Sequence, residues 1–354
     1  MGGVMKAKTL VGVIGVVVCA SAAQAGAEDL NALTQAAKKE GAVYSVGMPD
    51  DWANWKDTWA QLTHKYGLDH HDTDLSSAEE IAKFDAEKSN ATADIGDVGQ
   101  SFCPLAVQRG VTQPYKPGTW NDIPDWAKSQ DGNCIVDYTG TIAFITNTRL
   151  VKNPPKSWAD LLSGKYKVTL GAVGVAARAN SAVLAAALAQ GGSEKNLMPG
   201  LKLFAELAKQ GRLSLVDPSL ANLEKGEIEV GILWDFTALG YRDRIDPSRF
   251  AVNVPSDGSV TTGYTLIINK YAKHPNAAKL VREYVLSDAG QLNLARGYAR
   301  PIRTSVKFPP DVQAKLLPAS EYKSVKPIQD FAAWDESVKK LPRQWQDVVM
   351  VNMQ

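Results

Sequence analysis

Histidine and cysteine are both scarce in this 354-residue sequence, with four of the first and three of the second, and the shortage removes most metal chemistry from consideration. The histidines are His64, His70, His71 and His274. Only "DHHDTD" (69–74) gathers them near acids, and neighbours on an extended segment point to opposite sides, so the run does not converge on an ion. No metal or cofactor is expected. A G-x-S-x-G elbow is absent, which leaves the serines without a nucleophile context. No G-x-x-x-x-G-K-S/T loop occurs to cradle a nucleotide phosphate, and "GAVGVAARAN" (171–180) lacks the third glycine of a dinucleotide fingerprint. The formal charge is +1, with no basic stripe, so nucleic acid is not an expected partner. Internal repeats and low-complexity tracts are also missing.

What is present begins with a leader. Lys6 and Lys8 precede an apolar run at 10–18, followed by Ala23-Gln24-Ala25. A basic region, a short apolar region and an A-x-A site describe a cleaved signal peptide over 1–25. The apolar run is too short for a membrane span, which takes about 20 residues. Cys19 follows Val16-Val17-Val18, which lacks the small residues of a lipidation site, so soluble export is expected. Removing the leader leaves Cys103 and Cys134. An even pair in an oxidising compartment invites a disulfide. Two separate buried thiols fit the sequence equally well, because nothing in it sets the distance between their Cα atoms. About 330 residues remain, more than one core usually takes, so two lobes are expected.

Apolar patterning alternates between strand and helix. "GAVYSVG" (41–47), "ADIGDVG" (93–99), "TIAFITNT" (141–148), "KVTLGAVG" (167–174), "EVGILW" (229–234), "SRFAVNVP" (248–255) and "TTGYTLIINK" (261–270) read as strands. Between them lie helices such as "PDDWANWKDTWAQLTHKYG" (49–67), where Asp50 or Asp51 can cap the N-terminus and Trp55, Trp59, Leu62 and Tyr66 form one apolar face. This alternation implies an α/β fold with parallel sheets covered by helices on both faces.

In open α/β sheets, ligands bind beyond the carboxyl ends of strands, where helix N-termini converge. That rule selects 48–52, 99–101, 171–181 and the pair Trp234-Asp235, which ends "EVGILW". An indole followed at once by a carboxylate at such a place reads as a receptor wall, with a plain strand end as the alternative.

The order of "KKEGAVYSVG", "ADIGDVG", "DYTGTIAFITNT", "PKSWADLL", "EVGILWDFTAL", "HPNAAKLVREYVLSDAGQ" and "GYARPIR" resembles the extracellular solute-binding proteins of bacterial ABC importers, in the branch with ferric-ion, polyamine and aminophosphonate binders. The resemblance implies a two-lobed type II periplasmic binding protein fold that closes over its ligand about a hinge. It implies crossovers near 134–144 and 259–266. Lobe one is then 26–138 plus 262–310, lobe two 139–261, and C-terminal helices at 311–354 pack across both. It further implies a periplasmic, monomeric protein that is not an enzyme and hands its solute to a membrane permease.

Carried over one position at a time, the resemblance implies cleft roles for Asp50, Asp51 and Trp52 after the first strand, and for Gln100 and Ser101 after the second. Tyr138 and Thr139 fall at the first hinge, and Thr262 and Tyr264 at the second. Arg178, Asn180 and Ser181 fall at a helix start suited to an anion, and Trp234 and Asp235 at the strand end. Adjacent tyrosines, which ferric binders use, are absent. Indole, phenols and carboxylates suit an amine, whereas Arg178 suits a phosphate, phosphonate or carboxylate; a solute carrying both groups satisfies both. The expected ligand is therefore amine-containing, polyamine- or aminophosphonate-like. The alternatives are a ferric ion or phosphorylated sugar on the same fold, and a secreted hydrolase pairing Asp50 or Asp51 with Asp235. A structural or adhesive protein would leave the polar residues at strand ends unexplained.

Overall fold

The computed structural model describes residues 1–2 and 22–353. The leader expected over 1–25 therefore lies, from residue 3 to residue 21, outside the described residues. Among the described residues no helix is long and apolar enough to cross a membrane.

Eleven strands form one continuous sheet. In chain order they are β1 (Ala42–Val46), β2 (Asp69–Thr73), β3 (Ile95–Gly99), β4 (Cys134–Asn147), β5 (Val168–Thr169), β6 (Leu213–Ser214), β7 (Val230–Trp234), β8 (Phe250–Asn253), β9 (Ser259–Ile268), β10 (Arg300–Pro301) and β11 (Val325–Pro327). Their spatial order is β2-β1-β3-β9-β4-β7-β5-β6, with β8 and β10 on β4 and β11 on β9. The sheet is mixed, which corrects the expectation of parallel sheets. β1 lies parallel to β2 and β3, and β5 parallel to β6 and β7, each joined by a helical crossover. β4 and β9 run antiparallel to each other, β9 also to β3 and β4 to β7, β8 and β10, while β11 lies parallel to β9. β4 pairs with β9 from Cys134 to Thr141 and then with β7 and β8 from Ile142 onward.

The core follows the patterning. Trp55, Trp59 and Leu62 are buried along one face of helix Trp55–Tyr66, while Tyr66 is half-buried. That helix starts later than the sequence suggests. Ala53 and Asn54 take left-handed conformations, so Asn54 occupies the cap position and neither Asp50 nor Asp51 caps the helix. Ser157 opens helix Trp158–Ser163 by accepting the Asp160 amide at 3.0 Å. Trp158 is then fully buried edge-on to Phe144 and Phe204, its indole N–H donating to Gly258 O. Helix Phe331–Val348 closes over the second half through Trp345, which meets Phe204.

His70 is structural. It stacks on Trp59 with 3.7 Å between ring centroids and bonds Ser45 Oγ. Burial, reinforced by His71, lowers its pKa to about 4, so the ring is neutral at pH 7.

Cys103 and Cys134 are joined, which resolves the open choice in favour of a disulfide. It fastens the start of helix Cys103–Gln108 to the first residue of β4, 31 positions along the chain. Closing a loop of that size stabilises the fold by about 3–4 kcal/mol through the unfolded ensemble. Replacing both cysteines with serine is expected to lower the urea midpoint correspondingly; an unchanged midpoint would show that other contacts already confine the loop.

Candidate functional site

A cavity of about 580 Å³ opens where β1 ends, beside the middle of β3, and where the chain leaves β2, β5 and β6. Its near wall comes from the first half of the sheet. After β1 the chain turns at Gly47, whose φ is +71°. A Cβ there would also sit 2.3 Å from Glu80 Oε1, so the turn and the close approach both require glycine. The turn brings Asp51 and Trp52 to the cavity. Asp74 arrives just past the end of β2, Glu80 from helix Ser77–Glu87, and Asp97 from the middle of β3.

Aromatic rings hold this wall in place. The Trp52 indole N–H donates to Tyr138 Oη at 2.7 Å, and that hydroxyl donates to Asp97 Oδ2 at 2.6 Å. Trp52 meets Phe236 and Tyr264 edge-on, while Tyr138 and Tyr264 stack at 5.4 Å. Trp52 and Tyr264 line the cavity; Tyr138 is fully buried behind them.

The far wall comes from the second half. Helix Ala177–Ala189 points its N-terminus at the cavity through Ala176, Ala177 and Arg178, and no side chain caps its first turn. The first N–H groups of a helix have no intrahelical partner, and with the helix dipole they attract anions. Arg178 donates from Nη2 to Asp217 Oδ1 at 3.0 Å, yet its Nε is buried without a partner. Asn180 serves the backbone instead: its Oδ1 accepts the Gly174 amide at 2.7 Å and fixes the loop ahead of the helix.

Charge is unevenly spread. Asp51, Asp74 and Asp217 crowd the same space, so burial first and then these like charges push the Asp74 carboxyl upward, opposed by Arg178. Burial and the carboxylates Asp51, Asp217 and Asp74 also push the Tyr241 phenol up. Glu79 is the exception; the Ser76 hydroxyl and amide, in a capping box, hold it below the usual range.

Of the residues expected from sequence, Asp51, Trp52, Arg178 and Tyr264 meet at the cavity. Asp50 is exposed outside it. Gln100 borders a separate pocket of about 190 Å³ beside the disulfide, its Nε2 donating to Trp126 O. Ser101 is half-buried nearby, and Ser181 is buried within its helix. Thr139 pairs with β9 and β10, and Thr262 is buried on β9.

Trp234 and Asp235 require a correction, because they stand behind the wall and do not line it. Trp234 is fully buried and donates its indole N–H to Tyr264 Oη at 3.1 Å. Asp235 begins helix Asp235–Ile245. Its Oδ1 accepts the amides of Thr141 and Phe236, and its Oδ2 the Tyr322 hydroxyl at 2.7 Å, with Arg300 Nε at 3.9 Å. Burial raises this carboxyl, and the Thr141 amide, Tyr322 and Arg300 oppose the rise. A carboxylate so fully engaged supports the fold and has little left for a solute.

Residues 90–337 match the family model described as "Bacterial extracellular solute-binding protein". The chain belongs to that family. Within it, this solute-binding protein is similar to a "Putative 2-aminoethylphosphonate-binding periplasmic protein" of Salmonella typhimurium, 27% identical over 127 residues; the match spans 35% of this chain and 36% of that relative's length. Among solved structures it is similar to the periplasmic binding protein AfuA of Actinobacillus pleuropneumoniae, described with fructose-6-phosphate bound, with a TM-score of 0.71, 19% identity and coverage of 88% and 98% of the two chains. Iron-bound HitA of Pseudomonas aeruginosa gives a TM-score of 0.67 and 16% identity, covering 87% of this chain and 99% of that one. The fold of this solute-binding protein is therefore the type II periplasmic binding protein fold.

Proposed function

We propose that this chain captures a small solute bearing both an amine and an anionic group and passes it, unchanged, to the permease of a bacterial ABC importer. The observation that carries the reading is one cavity with two opposed chemistries. Arg178, with its buried and unpartnered Nε at an uncapped helix N-terminus, offers an anion seat. Asp51 and Asp74, beside Trp52 and Tyr264, offer a cationic group carboxylates and ring faces on the other wall. The name of the Salmonella relative, which describes a 2-aminoethylphosphonate binder, supports the same chemistry. Closure by hinge motion at β4 and β9, the strands common to both lobes, would seal the solute in.

Phosphorylated sugars are the second reading, favoured by the anion seat alone and by the fructose-6-phosphate in the AfuA description. Ferric binding has less support. Burial first, and then Asp97 and Asp137, push the Tyr138 phenol well above its ordinary value, and burial pushes Tyr264 up too. Both shifts oppose phenolate ligation.

Thermal unfolding with a ligand panel is the test. At 100-fold excess over Kd, a ligand that binds only the native state stabilises it by about 2.7 kcal/mol. 2-Aminoethylphosphonate is expected to raise Tm by several degrees, above polyamines or hexose phosphates. Stabilisation by ferric citrate alone would sink the reading.

A further inference from the structure

Glu80 and Asp97 form the floor of the cavity and are the most deeply buried of its acids, 1% and 0% exposed. They are adjacent, since the Asp97 amide donates to Glu80 Oε2 at 3.0 Å. The fold makes room for them with glycine: a Cβ at Gly47 or Gly96 would lie 2.3 or 2.7 Å from a Glu80 carboxyl oxygen. Asp97 receives the Tyr138 hydroxyl on Oδ2, and its Oδ1, although buried, has no partner. Both carboxyls line the cavity floor, with Asp97 Oδ1 shut off beside the Trp55 indole.

Among the described residues no basic side chain pairs with these two carboxyls. On the Glu80 side stand Asp72 and Asp74, with Ser45 and Met48 donating to Asp72 and His71 beside it. Against Asp97 lie Tyr138, Asp72 and Trp55. Deeper still is Asp137, whose two oxygens are both unpartnered. The nearby Arg282 is committed to the carbonyls of Tyr115, Gly132, Asn133 and Leu266. Arg178 and Tyr264 face the pair from across the cavity.

Two adjacent buried carboxyls without a cation cannot both ionise. Burial chiefly, and then the neighbouring carboxylates, raise Glu80 and Asp97 well above their ordinary values. We propose that the amine, drawn in by Asp51 and Asp74, is seated on Glu80 and Asp97 at the floor, and that seating a primary ammonium there expels a proton to solvent. The inference rests on the cleft binding an amine-bearing solute. The exchange balances simply: R–NH₃⁺ arrives, one carboxyl O–H bond breaks, its proton goes to buffer, and the remaining carboxylate accepts an N–H from the ammonium. A quaternary ammonium, with no N–H to donate, gains the rings but not this contact.

Calorimetry in two buffers of different ionisation heat counts the protons released. 2-Aminoethylphosphonate is expected to release up to about one proton more than ethylphosphonate, which lacks the amine, measured where the two phosphonates carry the same charge. Its affinity should fall by as much as about tenfold per pH unit on acidification through that linkage. Glu80→Gln and Asp97→Asn, near-isosteric changes, should together abolish the difference. Equal proton counts for the two probes on the wild-type protein would overturn the proposal while leaving the cleft reading intact. If neither probe binds, both readings fall.

A ligand-free measurement decides the protonation separately. Infrared spectra through a pH titration should show a protonated-carboxyl band persisting above the ordinary carboxyl range that one or both single variants lose; its absence from the wild type overturns the proposal. The linkage sign agrees. Because Glu80 is raised in the folded state, its contribution to stability is present below the ordinary value of 4.5 and is lost as pH rises above it. Relative to wild type, Glu80→Gln should therefore gain stability as pH rises, and a flat difference would count against the proposal.

Discussion

Arg178→Gln is expected to weaken the proposed binding of 2-aminoethylphosphonate by roughly 30- to 1,000-fold, the equivalent of about 2–4 kcal/mol for removing one partner of a buried, charge-assisted hydrogen bond. The size follows from where the residue sits. The Arg178 side chain is 11% exposed, so solvent and salt screen it little. Its Nε is already desolvated and unpartnered in the fold, so an anion recovers a contact that folding left unmade. Glutamine keeps the length of the side chain and gives up the charge and the fork. Stability should change by less than about 1 kcal/mol, because the partner Asp217 is 60% exposed and can turn to water. Lysine at 178 should recover part of the affinity as a point charge without bidentate geometry. Calorimetric titration of the three proteins is the check. A glutamine variant within threefold of wild type would remove the anion seat from the mechanism.

The second large effect belongs to the fold. Asp235→Ala leaves the amides of Thr141 and Phe236 and the hydroxyl of Tyr322 without their acceptor in a fully buried setting, at an expected cost of about 3–5 kcal/mol. Trp234→Ala opens a void behind Tyr264 and costs a similar 3–5 kcal/mol or so. Each variant should lower Tm by something like 10 °C, while the fraction still folded at low temperature binds the solute within a few-fold of wild type. The opposite pattern, wild-type stability with lost binding, would return the pair to the receptor wall. Urea unfolding and titration of the same samples separate the two outcomes.

That reversal marks where the sequence stopped being informative. Alternating patterns located β1, β3, β7, β8 and β9, and the strand-end rule located the cleft. It brought Asp51, Trp52 and Arg178 to the cavity because a side chain just beyond a strand, or at a helix start, has one general direction to face. The same rule pointed to Trp234 and Asp235, but one position decides whether a strand-end residue faces the cleft or the helix behind it. Here Asp235 turned inward to the Thr141 amide.

Some of the missed acids carried a legible signal. Asp74 follows β2, an edge strand with an alternating exposed and half-buried pattern that "DHHDTD" disguised as a metal run. Asp217 follows β6, only two residues long. Asp97 was the plainest case, a carboxylate between glycine and valine in a fully buried strand, where a charge has no structural reason to be. Glu80 had none: it lies on a helix whose first turn reads as an ordinary capping box. Its burial depends on Gly47 and Gly96, 33 and 16 positions away by residue number.

The slip in register between Val136 and Tyr138, where β4 runs against β9, has a mechanical consequence. Tyr138 comes immediately after that slip, and its hydroxyl ties Trp52 to Asp97. Any flexing of β4 at this irregular point turns a phenol ring that is bolted to the cavity-facing indole. The irregular point in the strand and the cavity wall are thus joined through a single hydroxyl.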